Sequence, residues 1–268
     1  MSGTGRARIL GILNLSPDSF SDGGRFTDLD AALAHARQLV DHGADLVDVG
    51  AVSSNPDGAG LPPDAEIARL APVLAALDDA GIPVSVDTFA PEVQIWAAPR
   101  VAMLNDIRGF PDPAVWPALA DASCDLVVMH ALQDGRADRR SVDPDAVFDS
   151  LLRFFDTRLD ALIRAGVAPE RLIVDPGMGF FLGDTPAPSV TVLQRIGALR
   201  AHTGRPVLIS VSRKSFLGAL LGGRPPLERG TATVIAEHFA VQHGATWVRT
   251  HDPRALRDAE TISRALQG

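Results

Sequence analysis

Short runs of β-branched and aliphatic residues alternate with longer amphipathic segments along the whole chain, the pattern of repeated βα units around a parallel sheet. Eight such runs stand out: Arg8–Leu13, Leu46–Val49, Val84–Val86, Val101–Leu104, Leu126–Met129, Leu172–Val174, Val207–Val211 and Trp247–Val248. Between them, Asp30 to His42 repeats Ala, Leu and Val at helical spacing and meets Gly43, and Asp64 to Ala80 meets Gly81. Pro144 to Ala165, apolar at Val147, Leu151, Phe154, Phe155, Leu159 and Leu162, meets Gly166. A glycine just past a helix closes its last turn in the left-handed conformation, so these segments predict outer helices with defined ends. The alternation predicts an α/β fold, a (β/α)8 TIM barrel. With no linker, charge block or low-complexity segment between the units, residues 1–268 are expected to form a single domain.

A length of 268 residues fits one such barrel, and 46% hydrophobic residues can bury a large core. No apolar stretch approaches the ~18 residues a membrane span needs. Met1 to Arg8 runs straight into the first strand-like segment without a signal-peptide pattern, so a soluble, cytoplasmic protein is expected. The net charge of −8 argues against a broad nucleic-acid surface, which needs clustered cations to release counterions. Anionic ligands would need a focused pocket. The only cysteine, Cys124, cannot form an internal disulfide and adjoins an apolar run, where a buried thiol is ordinary.

Chemistry enters at the ends of the runs. In order they meet Asn14, Asp48 with Ser53 and Ser54, Asp87, Asn105 with Asp106, His130, Asp175, Ser212 with Lys214, and Arg249 with His251. The C-terminal strand ends of a (β/α)8 barrel converge on the face where active sites are built. Each residue alone reads equally as a cap or a loop residue; eight together predict a polar pocket. Asp87, Asn105 and Asp175 offer acceptors that suit a heterocycle rimmed with amino and amide N–H groups, such as an aminopterin. The alternative is that the aspartates cap the following helices, a weaker reading for Asp175, which P-G-M-G-F follows. Gly11 to Gly24 sets a carboxamide before a Ser- and Asp-rich loop able to move, or else a plain turn with Asp30 as an N-cap. V-S-R-K-S-F-L-G, from Val211 to Gly218, places two cations and two hydroxyls before an apolar helix, an anion site or a surface basic pair. Arg249 to Asp252 adds a cation and an imidazole after the last strand, where such barrels commonly bind phosphate.

The blocks N-L-S-P-D-S-F-S-D-G-G, S-V-D-T, L-N-D-I, V-V-M-H, D-P-G-M-G-F, S-R-K-S and R-T-H-D, in this order between about Ile9 and Asp258, resemble the signature blocks of dihydropteroate synthases. The resemblance implies a transferase of folate biosynthesis that condenses 6-hydroxymethyl-7,8-dihydropterin pyrophosphate with 4-aminobenzoate. It implies a pterin pocket at Asp87, Asn105, Ile107, Met129, Asp175 and Lys214, and a pyrophosphate site at Asn14, Arg249 and His251. Mg2+ would bind through Asn14 and the leaving group, and 4-aminobenzoate would lie by Ser54, Phe180, Phe181 and Ser215. Lys214, Asp87 and Arg249 would be the catalytic residues, and a homodimer is expected. Two departures stand out. The usual G-E-S-T-R-P-G becomes Gly50-Ala-Val-Ser-Ser-Asn-Pro-Asp57, losing a cation at Asn55; the usual D-P-G-F-G-F-G-K becomes D-P-G-M-G-F-F-L-G, with Phe180, Phe181 and Leu182. Both resemble the sulfonamide-resistance branch, so a sulfonamide-insensitive enzyme is expected. Two rivals stay open: a non-catalytic pterin-binding paralogue that lost its second substrate site, and a pterin-dependent methyltransferase serving a corrinoid partner. The intact Ser16–Gly24 loop and the S-R-K-S block disfavour the second.

Overall fold

The computed structural model describes residues 6–15, 25–52, 61–131 and 143–267. Eight strands form one parallel sheet: β1 (Arg8–Asn14), β2 (Leu46–Gly50), β3 (Val84–Asp87), β4 (Met103–Asp106), β5 (Asp125–Met129), β6 (Leu172–Asp175), β7 (Leu208–Ile209) and β8 (Trp247–Thr250). Their order is β6-β5-β4-β3-β2-β1-β8-β7, and a parallel bridge between Val174 and Val207 joins β6 to β7. The sheet thereby closes into the expected barrel. Parallel neighbours need a crossover, and helices supply it: α1 (Arg25–Asp41), α2 (Pro63–Asp79), α3 (Pro91–Ala97), α4 (Trp116–Asp121), α5 (Pro144–Arg164), α6 (Pro186–Gln194), α7 (Ile196–Thr203), α8 (Ser215–Leu220), α9 (Gly230–Gln242) and α10 (Pro253–Gln267).

The helix ends follow local chemistry. Proline begins α2, α3, α5 and α6, where its missing N–H costs nothing, and Asp143 caps α5 by accepting from the Asp145 N–H at 3.0 Å. Gly43, Gly81 and Gly166 take positive φ after α1, α2 and α5, as their spacing predicts. The first helix differs from expectation: it begins at Arg25, so Asp30 lies inside it and is not its N-cap. The seventh strand is also shorter than its apolar run. Ser210 and Val211 leave the ladder because the chain turns at Arg213 (φ 59°), with the Lys214 N–H donating to the Val211 carbonyl at 3.0 Å. Among the described residues, no helix is long and apolar enough to cross a membrane. Cys124 is buried and unpaired, as expected of a core thiol.

Strand pleating sorts the side chains into two populations. One face of each strand, including Ile9, Val47, Val86, Leu104, Val128, Val174 and Val248, packs outward against the helices in the main core. The other face points down the barrel. There Leu10, Leu46, Met103, Val127, Ile173, Leu208 and Trp247 form a separate apolar cluster, each contributing about 1.5–3 kcal/mol by burial. The Arg8 guanidinium lies 4.1 Å from the centre of the Trp247 ring at the N-terminal end of this floor. Two residues further along each strand, the period-2 pleat puts Ile12, Asp48, Asp87, Asn105, Met129, Asp175, Ser210 and Arg249 on the same inward face. An apolar floor therefore carries a mostly polar tier, and that tier is the base of the site.

Candidate active site

Arg249 organises the tier. Its Nε donates to Asp48 Oδ2 at 2.6 Å and its Nη2 to Asp87 Oδ2 at 2.9 Å, joining β8 to β2 and β3. Asp48 is fully buried. Burial opposes the Arg249 charge, but Asp48 and then Asp87 outweigh it and hold the guanidinium protonated more firmly than usual. Asp87 is shifted upward as well, which for an acid disfavours the charged form. Burial raises its pKa despite Arg249, and the nearby carboxylates Asp48, Asp106 and Glu66 add to the rise. Gly50 leaves the space above this pair open: a Cβ there would lie 3.7 Å from both Asn14 Oδ1 and Asp87 Cβ.

Across the barrel, burial lifts Asp175 to about 6 against the pull of Lys214 and a hydrogen bond from the Gly177 N–H at 2.7 Å. Lys214 is lowered to about 8, also by burial, with Asp175 opposing and Arg249 adding to the fall. Its ammonium donates to the Met178 carbonyl at 3.3 Å and lies 4.9 Å from the centre of the Phe181 ring, a cation–π contact. Asn105 is 4% exposed and its Oδ1 has no hydrogen-bond partner, a costly state for a buried acceptor unless something docks against it. Beside these groups, Ile107, Met129 and Phe181 form a small apolar cluster of their own, edged by Phe89, Ala131 and Phe180. Buried acceptors of adjustable protonation next to an apolar patch suit a flat heterocycle bearing several N–H groups.

The mouth is cationic. His251 Nδ1 is 2.8 Å from Ser212 Oγ, and burial, helped by Arg213, Arg249 and His35, lowers its pKa to about 4. It is therefore neutral near pH 7, between two arginines. Arg213 holds a left-handed backbone, with its N–H donating to Thr233 Oγ1 at 3.0 Å and its carbonyl accepting from Arg229 Nη1 at 2.8 Å. Asn14, at the end of β1, is exposed beside the same opening. Phe180 and Ser215 line a cleft of about 270 Å³ between the loop after β6 and α8, together with Asp184, Thr185 and Arg229. Phe181 turns away from that cleft into the Ile107–Met129 cluster. Ser54 lies outside the described residues.

Most of the expected site residues thus meet at one end of the barrel, but two strand-end residues do not join them. Asp106 accepts from Gln94 Nε2, the Arg108 N–H and the Phe110 N–H at 2.7–2.9 Å, which ties the β4 turn to α3. His130 Nδ1 sits 3.3 Å from the Pro176 carbonyl and holds the β5 and β6 ends together. There the loop passes so close that a Cβ on Gly177 (φ +69°) would fall 2.3 Å from the His130 carbonyl oxygen, so only glycine fits. Two residues that the sequence reading placed near the pocket without assigning them a ligand, Asp48 and Arg213, stand beside Arg249 and His251 respectively. The signal for Asp48 was present, as an acid in an apolar strand, where an unpaired charge is rare.

Three kinds of comparison agree with this geometry. Residues 10–251 match the family model described as pterin binding enzyme. The chain is 54% identical to dihydropteroate synthase type-2 of Escherichia coli, over 97% of this chain and 96% of that one. Among solved structures, dihydropteroate synthase of Xanthomonas albilineans with 4-aminobenzoic acid superposes with a TM-score of 0.87 at 38% identity, covering 98% of this chain and 94% of that one. The same enzyme in complex with 7,8-dihydropteroate gives 0.83 at 34% identity, covering 99% and 95%.

Asp48→Asn is expected to cost about 3 kcal/mol in urea unfolding, at the low end for breaking a buried ion pair because Asp87 still holds Arg249. A loss within ~0.5 kcal/mol, the range of ordinary surface changes, would mean that Arg249 does not depend on Asp48.

Proposed function

This chain belongs to the family of pterin binding enzymes, and we propose that it is a dihydropteroate synthase, joining 6-hydroxymethyl-7,8-dihydropterin pyrophosphate to 4-aminobenzoate. The observation that carries this reading is the unpartnered, buried Asn105 Oδ1 on the same tier as Asp87 and Asp175, beside the Ile107–Met129–Phe181 patch. These groups fit the N–H edge and the faces of a pterin. The relatives' printed names and their bound aminobenzoate and dihydropteroate support the same substrates.

In the reaction the arylamine nitrogen forms a bond to the pterin methylene carbon, the C–O bond to the diphosphate breaks, and the amine loses a proton. No enzyme nucleophile is needed. Asp87 and Asp175 accept from the ring N–H groups and favour the electron-poor ring as charge leaves it. Lys214 stands between the pterin patch and Ser215 and bridges the two substrates. Arg249 engages two of its donors with Asp48 and Asp87 and has others left for the diphosphate. Neutral His251 contributes an N–H donor at the same opening. Orientation of the two substrates and exclusion of water supply the remaining acceleration.

Among the described residues, no group of three or more His, Cys, Asp or Glu side chains could hold a metal. Mg2+ characteristically binds through one or two protein oxygens plus substrate phosphates and water. The exposed carboxamide of Asn14 fits that mode, and Mg2+ held there with the diphosphate would neutralise charge on the leaving oxygen. Leu227 in the turn before α9, Ile235 on α9, and Ile262 and Leu266 on α10 are 83%, 65%, 61% and 82% exposed, which supports a homodimer through this side of the barrel. Sedimentation as a monomer at micromolar concentration would overturn that assembly.

Pyrophosphate release that requires both substrates is the direct test, since a non-catalytic pterin-binding paralogue would bind the pterin and release none. Asp175→Asn should weaken pterin binding by about 1.5–3 kcal/mol in calorimetry, the worth of a charge-assisted hydrogen bond; unchanged affinity would move the pterin off this face.

Sulfonamide insensitivity is the finer reading, supported by Phe180, which lines the cleft beside Ser215, and by the likeness to the type-2 enzyme; Phe181 and Leu182, expected in the same wall, are instead buried in the Met129 cluster and in the main core. Phe180→Ala, which enlarges the cleft shared with Ser215, should keep measurable turnover while tightening sulfonamide inhibition far more than it changes the KM for 4-aminobenzoate, because a steric clash falls on one ligand alone. Wild-type inhibition at sulfonamide concentrations near that KM would sink the insensitivity reading and leave the synthase reading standing.

A further inference from the structure

Gln94, on α3, is 1% exposed, and its side-chain Nε2 donates twice: to the Thr88 carbonyl at 3.2 Å and to Asp106 Oδ2 at 2.9 Å. A carbonyl cannot donate, and Asp106 Oδ2 already accepts from the Phe110 N–H at 2.7 Å, so the nitrogen of the amide, not its oxygen, belongs here. Thr88 directly follows Asp87, and Asp106 directly follows Asn105. One side chain therefore spans the ends of β3 and β4, immediately behind two of the acceptors assigned to the pterin.

Both ends of this span are themselves fixed. On the β3 side, Thr88 Oγ1 accepts from the Ala90 N–H at 3.3 Å, which ties the start of α3 to the strand it leaves. On the β4 side, Asp106 Oδ1 accepts from the Arg108 N–H at 2.8 Å and closes the turn that carries Ile107 into the Met129 cluster. In that turn Gly109 and Phe110 both hold positive φ, 64° and 55°, and a Cβ on Gly109 would fall 2.8 Å from the Met129 carbonyl oxygen. A left-handed phenylalanine persists only where its surroundings over-determine it.

The need for a brace follows from where the ladder stops. β3 and β4 pair in register only as far as Asp87 and Asn105. The Thr88 N–H donating to the Asn105 carbonyl, at 3.0 Å, is the last backbone rung between them among the described residues. Asn105 Oδ1 has no hydrogen-bond partner to hold its aim, so its position comes from the backbone. Hydrogen bonds weaken steeply with misalignment, and two acceptors can serve one rigid ring only at a fixed spacing. We propose that Gln94 is a positioning residue for the pterin pocket, a side-chain rung beyond the end of the ladder that holds Asp87, Asn105 and Ile107 at the spacing one ring can bridge. The identity of the ring rests on the synthase reading; the brace rests on the hydrogen bonds alone.

Calorimetry with pterin pyrophosphate on Gln94→Met, which keeps the volume and removes both donations, should show affinity about ten-fold lower, the worth of one hydrogen bond. The KM for 4-aminobenzoate should hardly move. The loss should shrink below about two-fold when Gln94→Met is made in an Asn105→Ala background, because a spacing has no meaning once one acceptor is gone. A residue that merely supports the fold would cost the same in both backgrounds. Gln94→Asn, too short by one methylene to reach both acceptors, should match Gln94→Met and keeps the test open if that variant fails to fold. Wild-type pterin affinity in either folded variant, or a loss undiminished in the Asn105→Ala background, overturns the proposal. If wild type itself binds no pterin pyrophosphate, the synthase reading falls. Amide exchange at Thr88 and Phe110, expected to quicken about ten-fold in Gln94→Met while the β1 and β2 amides stay protected, then decides the brace alone.

Discussion

The fork of Arg249 between Asp48 and Asp87 is the interaction on which the polar end of the barrel depends. Two carboxylates on adjacent strands, one of them wholly buried, would repel each other and lose hydration; neither cost is met by the apolar floor beneath them. A guanidinium that keeps its charge in a dry site and donates to both in plane meets both costs at once. The fork also uses the barrel's closure. Asp48 lies 201 residues before Arg249, and only because β8 runs beside β1, and β1 beside β2, do the two groups come within reach.

The rest of the site borrows its order from this tier. Asp175 and Lys214 are displaced toward neutral pH by the same burial, and each lies within the electrostatic reach of Arg249. The site thus gathers several groups that exchange protons near pH 7 around an unpartnered carboxamide, without a cluster that could trap a metal among the described residues. Such a site stabilises a redistribution of charge in a bound ring better than it supplies a nucleophile.

The two substrate regions are built from different materials. In the proposed assignment the pterin side stands on strand residues, Asp87, Asn105, Met129 and Asp175, whose backbones are fixed by ladder hydrogen bonds. The aminobenzoate side is made of the loop after β6 and the start of α8, where glycines of positive φ, a left-handed Arg213 and a short helix replace regular structure. Specificity can change in such loops without disturbing the tier, and one of the two departures from the usual family blocks, at Phe180–Leu182, falls there.

Strand and helix positions were legible in the residue pattern because pleating and helical periodicity are local. Eight runs gave eight strands, glycines marked the ends of α1, α2 and α5, and the strand-end residues gathered at one face as a barrel requires. The blocks resembling those of dihydropteroate synthases named the residues proposed for the pterin side. What the chain alone did not decide was direction. Asn105 and Asp106 are neighbours of equal polarity, yet one faces the pocket and the other ties a turn, because the pleat sends adjacent side chains to opposite faces and the register of β4 on β3 decides which. Phe180 and Phe181, adjacent in a 3-10 turn, also differ: both touch the Met129 cluster, but of the two Phe180 lines the cleft as well. The pairing of Asp48 with Arg249 likewise needed the closed barrel, since it brings together groups whose separation in sequence carries no information about their distance in space.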